Sequence, residues 1–124
     1  MQRKRILIAA EAWMPLQAVR KILDEKGYKI HVTQSGEDAV ALIKKFTFSV
    51  VVASFRTNER ISGLDILTQH ELVTPGKGKI LLTHDFSKRL ILIANFIGAL
   101  CVPESISSEE LVERIESFTR ADNH

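Results

Sequence analysis

At 124 residues, with 45% apolar and 26% charged side chains, the chain is long enough to bury one core and too short for two, so residues 1–124 are expected to form a single globular domain. A net charge of +2, gathered largely in local clusters at Arg3, Lys4 and Arg5 and at Lys77 and Lys79, gives no continuous basic face and argues against nucleic acid as a direct partner. A lone Cys101 excludes an internal disulfide framework; with no signal-peptide pattern and no apolar stretch of roughly 20 residues, the expectation is a cytoplasmic protein without membrane contact.

The first run, Arg5-Ile6-Leu7-Ile8-Ala9-Ala10, is continuous and apolar rather than alternating, as in a central parallel strand covered on both faces. Residues 14–26 place Leu16, Val19, Ile22 and Leu23 at helical spacing, with Pro15 in the first turn and Gly27 as a left-handed stop. Residues 28–33 read as a second strand. Ser35 and Asp38 open a second helix with Ala39, Leu42, Ile43 and Phe46 as its buried stripe. Residues 48–55 read as another buried strand, and the polar segment after it leads to Gly63 and a short helix built on Leu64, Ile66 and Leu67.

A turn around Pro75, Gly76 and Lys77 precedes a fourth strand, residues 79–83; the glycines and lysines there lack the spacing of a phosphate-binding loop. Asp85 or Ser87 caps a fourth helix running to Ile97, and Gly98 turns the chain into a short fifth strand, residues 100–103. Ser107 and Glu110 open a last helix whose apolar face is Leu111, Val112, Ile115 and Phe118. Five strand-helix units in alternation predict a parallel sheet with helices on both faces.

The order and spacing of Lys4-Arg5-Ile6-Leu7-Ile8, Ser35-Gly36-Glu37-Asp38-Ala39, Gly63-Leu64-Asp65-Ile66-Leu67, Gly98-Ala99 and Ser107-Ser108-Glu109-Glu110-Leu111 resemble the receiver domain of response regulators over nearly the whole chain. That resemblance implies the doubly wound CheY-like or flavodoxin-like fold, a five-stranded sheet in the order 2-1-3-4-5. It also implies a site at the carboxyl ends of the strands. In the family, an acidic pair and an acceptor aspartate hold Mg²⁺, and a hydroxyl and a lysine contact the phosphoryl group.

Set against that pattern, Ala10 and Glu11 stand in the place of the acidic pair and Ser54 in that of the acceptor aspartate. Thr83 matches the hydroxyl, with His84 in place of the usual small residue after it. Glu104-Ser105 stands in the place of the lysine and its proline, or Val102-Pro103 with a different gap; neither supplies a lysine. The resemblance therefore implies a degenerate, phosphorylation-independent pseudo-receiver of two-component signalling, neither an enzyme nor a holder of metal or cofactor. An alternative is a small-molecule sensor using the vacated strand-end pocket around Glu11, Ser54, Thr83 and His84.

Function then falls to recognition. Leu90 to Ile97 are apolar except for Asn95, so helix four is apolar around most of its circumference and has a face to hide beyond the one it packs on the sheet. Ile91, Ile93 and Phe96 are expected to face outward. They would meet a protein partner or a second copy through helix four, strand five and helix five. Trp13 and Met14 form a lesser candidate patch, more in keeping with packing at a helix start.

Overall fold

The structure is a computed structural model, and it describes residues 3–10, 16–54, 61–84 and 86–121. Five strands, β1 (Arg5–Ala9), β2 (Lys29–Thr33), β3 (Val50–Ser54), β4 (Gly78–Thr83) and β5 (Leu100–Pro103), alternate with five helices, α1 (Leu16–Glu25), α2 (Gly36–Lys45), α3 (Gly63–Val73), α4 (Lys88–Phe96) and α5 (Ser108–Ala121). The sheet is wholly parallel in the order β2-β1-β3-β4-β5. This is the architecture expected from the sequence.

The pleat explains the continuous apolar runs of the central strands. Ile6, Ile8, Val50, Val52, Ile80 and Leu82 point to the face covered by α1 and α5, while Leu7, Ala9, Val51, Ala53 and Leu81 point to the face covered by α2, α3 and α4. With both faces dry, every position on the central strands except Arg5 and Ser54 at their ends is buried. The edge strands β2 and β5 are only partly buried.

Local signals set the boundaries. Ser35, Ser87 and Ser107 each accept a hydrogen bond at the start of a helix, from the backbone N–H of Asp38, Leu90 and Glu110, an arrangement that stabilises a helix by about 1 kcal/mol. Gly27 and Gly98 take φ of 92° and 78° where α1 and α4 end. A fourth serine cap was not read from the sequence. At α3 the Ser62 hydroxyl accepts from Asp65 N at 3.2 Å, while Ser62 N donates to Asp65 Oδ2 at 2.9 Å.

α3 is longer than expected, because its buried stripe continues from Ile66 and Leu67 to a histidine rather than to an aliphatic residue. His70 is 0% exposed, and neither of its ring nitrogens has a hydrogen-bond partner among the described residues. Burial, reinforced by the nearby charge of Lys79, pushes its pKa down to about 4. A lowered histidine pKa means that the unfolded chain takes up a proton that the native state resists. The associated stability is therefore present above the unfolded pKa and drains away as pH falls from about 6.5 toward 4. In urea titrations, His70→Leu should remove this sensitivity and gain about 2 kcal/mol over the wild type at pH near 5, with a smaller difference at pH near 8. Equal differences at the two pH values would disprove this role for His70.

Candidate functional site at the strand ends

The carboxyl ends of β1, β3, β4 and β5 come together on one edge of the sheet, where open parallel sheets place their sites. Ala10 follows β1, is buried, and donates its N–H to Thr33 O at 3.1 Å. Next to it, through the pairing of Ala9 with Ala53, β3 ends at Ser54, which is half-buried. Over Ser54 sits Gly63, the first residue of α3, so close that a Cβ on Gly63 would stand 2.0 Å from the Ser54 carbonyl oxygen. The Ser62–Asp65 cap fixes this approach and commits the Asp65 carboxylate to the helix terminus.

On the other side, Thr83 is fully buried at the end of β4 and pairs with Pro103 of β5. Its carbonyl accepts from Glu104 N at 3.2 Å, which sets Glu104 beside His84. The two side chains are 3.5 Å apart, Nδ1 to Oε2, with His84 exposed and Glu104 less so. Of the residues expected at this site, the structure thus gathers Ala10, Ser54, Thr83, His84 and Glu104 along one edge. Glu11, Trp13, Met14, Pro15 and Asp85 lie outside the described residues.

Chemically the arrangement is sparse. A serine acts as a nucleophile only with a base in hydrogen-bond contact, and among the described residues no base is hydrogen-bonded to the Ser54 side chain. Nor do any three His, Cys, Asp or Glu side chains among the described residues come together in a metal-holding cluster. His84 and Glu104 face each other at the ends of the neighbouring strands β4 and β5.

Comparison with solved structures places this geometry. A CheY-like response regulator receiver domain from Methanospirillum hungatei JF-1 superposes with a TM-score of 0.85 at 22% identity, covering 98% of each chain. The receiver fold is this chain's fold. The chemotaxis protein CheY4 of Vibrio cholerae gives a TM-score of 0.81 at 17% identity over 94% of this chain and 99% of its own. The receiver domain of a sensor histidine kinase from Pseudomonas aeruginosa PAO1, which coordinates a magnesium ion in its active-site cleft, gives 0.75 at 14% identity, covering 94% and 98%. No protein-family model matches the sequence, and no curated protein matches it. The similarity to receivers is one of backbone, and no helix among the described residues is long and apolar enough to cross a membrane.

The face expected for recognition lies on α4. With Leu90 and Ala94 buried against the sheet, steps of about 100° per residue turn positions 92 and 96 directly away from it and leave 91 and 93 on the flanks. Accordingly Phe96 is 91% exposed and Leu92 71%, whereas Ile93 is 43% exposed and Ile91 is half-buried. Phe96 and Ile93 face outward as expected. Leu92 takes the place expected of Ile91, because the sheet-facing direction is fixed by the pair Leu90 and Ala94.

The sequence reading also missed Lys79. Expected in a surface cluster, it is 2% exposed, because β4 begins at Gly78 and carries Lys79 into the sheet. Its ammonium meets Glu71 Oε1 at 2.7 Å and donates to Lys77 O at 2.7 Å. The one hint available beforehand was its position directly before Ile80-Leu81-Leu82.

Proposed function

We propose that this chain is a phosphorylation-independent pseudo-receiver, a protein-interaction module of two-component, phosphorelay-type signalling that works in the cytoplasm without catalysis. In this reading Ser54 stands where a receiver carries its acceptor aspartate, and Ala10 stands in the adjoining acidic position. The described residues there do not fit a magnesium ion. A hard cation seeks several anionic oxygens, and Ala10 and Ser54 bring no carboxylate while Asp65 is held in the α3 cap. Glu104, in the place of the lysine, pairs with His84 and offers no positive charge to a phosphoryl group.

The observation that carries the reading is the outward row Leu92, Ile93 and Phe96 on α4. Large apolar side chains contiguous on one exposed face mark a contact surface more often than a solvated one. Leu100 of β5, also exposed, extends the row toward the α4-β5-α5 face. The partner is a protein or a second copy of this chain, with Phe96 as the anchor, since buried aromatic residues carry much of the energy of such contacts.

Sedimentation of the wild type and of Phe96→Glu across micromolar to millimolar concentrations tests the self-association form. The wild type should dimerise, and the variant should associate about tenfold or more weakly. Identical, purely monomeric behaviour of both proteins would overturn that form and leave the foreign-partner form to be tested by the loss of its complex in the same variant.

A further inference from the structure

The amino end of β4, opposite the strand ends described above, holds a concavity of about 370 Å³ lined by Glu71, Lys79, Asn95, Phe96, Gly98 and Phe118, among others. Its floor is a buried charge. An ammonium has three N–H donors, and the described residues satisfy two on Lys79, through Glu71 Oε1 at 2.7 Å and Lys77 O at 2.7 Å. Glu71 is committed as well, since the same Oε1 accepts from Gly76 N at 2.9 Å.

Lys79 is 2% exposed, and Gly98, beside it in the lining of the concavity, brings no side chain over the ammonium. A Cβ there would stand 4.0 Å from Lys79 Nζ, so a longer side chain would roof it over, and the φ of 78° favours glycine at that position. Lys77 and Lys79 outnumber Glu71 around the mouth, which disfavours a cation. Besides Lys77 at the mouth, the side-chain donors are one Lys79 N–H and the Asn95 amide, which suit the two oxygens of a carboxylate better than the many acceptor oxygens of a phosphate. Phe96 and Phe118 offer ring surface, and the volume is within the range of sites for small organic molecules.

We infer that this concavity binds a small organic carboxylate with an aromatic body, its carboxylate accepting from the third N–H of Lys79 and its ring lying against Phe96 and Phe118. The chemistry is shared by a free aromatic acid and by the terminal carboxylate of a peptide ending in an aromatic residue. Phenylacetate and N-acetylphenylalanine represent the two.

Titration of the ¹⁵N-labelled full chain with each probe should move the amide signals of Gly76, Gly78 and Gly98 saturably, and the tighter probe identifies the source. Phenylacetamide, which keeps the ring and loses the charge, should bind about tenfold or more weakly. Lys79→Met should abolish binding. Gly98→Asn, which tolerates a positive φ while covering the ammonium and leaving the charges intact, should abolish it independently. The proposal is overturned if neither probe saturates in the millimolar range, if phenylacetamide binds equally well, or if binding survives in both folded variants.

Discussion

Gly63→Ala is expected to cost about 3 kcal/mol or more of stability and to lower Tm by about 10 °C. The added Cβ would stand 2.0 Å from the Ser54 carbonyl oxygen and 2.6 Å from its carbon. Both are backbone atoms of a central strand, so no rotamer change relieves the clash. Either α3 lifts from β3, exposing Ile66 and Leu67, or β3 shifts and disturbs its pairing with β1 and β4. Gly27→Ala serves as the control, since its Cβ meets nothing within 4 Å and only the positive φ is at stake, a cost of about 1 kcal/mol. Urea titration of the two variants should separate them clearly. Equal losses would mean that α3 is not seated on Ser54 as described.

The second large effect is an asymmetry within the Lys79–Glu71 pair. Glu71→Ala removes a carboxylate that is one-third exposed and leaves a lysine that is 2% exposed with Lys77 O as its remaining partner. Stranding a buried charge costs about 3 kcal/mol. Lys79→Met replaces the lysine with an apolar side chain of similar length and leaves Glu71 hydrated and still hydrogen-bonded to Gly76 N, so a loss of about 1 kcal/mol or less is expected. The hydrogen bond from Lys79 is the leading cause that holds the Glu71 pKa below its ordinary value. This contribution is present above the ordinary carboxylate pKa and fades as pH falls through the lowered one. The loss caused by Glu71→Ala, measured against the wild type, should therefore narrow in acid. A Lys79→Met variant as unstable as Glu71→Ala would contradict the account.

The fold was legible because each signal was local. Continuous apolar strands, serine caps at residues 35, 87 and 107, and glycine stops at residues 27 and 98 all concern neighbours in sequence, and together they force alternation of strand and helix. What escaped depended on distant partners. A lysine written directly after a glycine-rich turn reads as solvated, and only the seating of α3 beside β4 supplies the glutamate that lets Lys79 go inside. His70 hid the second half of the α3 stripe because a histidine does not register as apolar, yet it is fully buried. On α4, an almost wholly apolar helix has too little pattern to fix its own rotation; the sheet chose Leu90 and Ala94, and Leu92 was turned out. At the strand ends the residue types were readable, while the pairing of Glu104 with His84 required β4 and β5 to lie side by side.

The central claim is that the receiver fold here works without the receiver's metal and phosphoryl chemistry. Thermal unfolding with and without millimolar Mg²⁺ and beryllofluoride tests it most directly, because any ligand that binds the native state raises Tm by mass action. The account predicts a change smaller than about 1 °C for wild type and for Ser54→Ala alike. A rise of several degrees in the wild type that Ser54→Ala abolishes would contradict it.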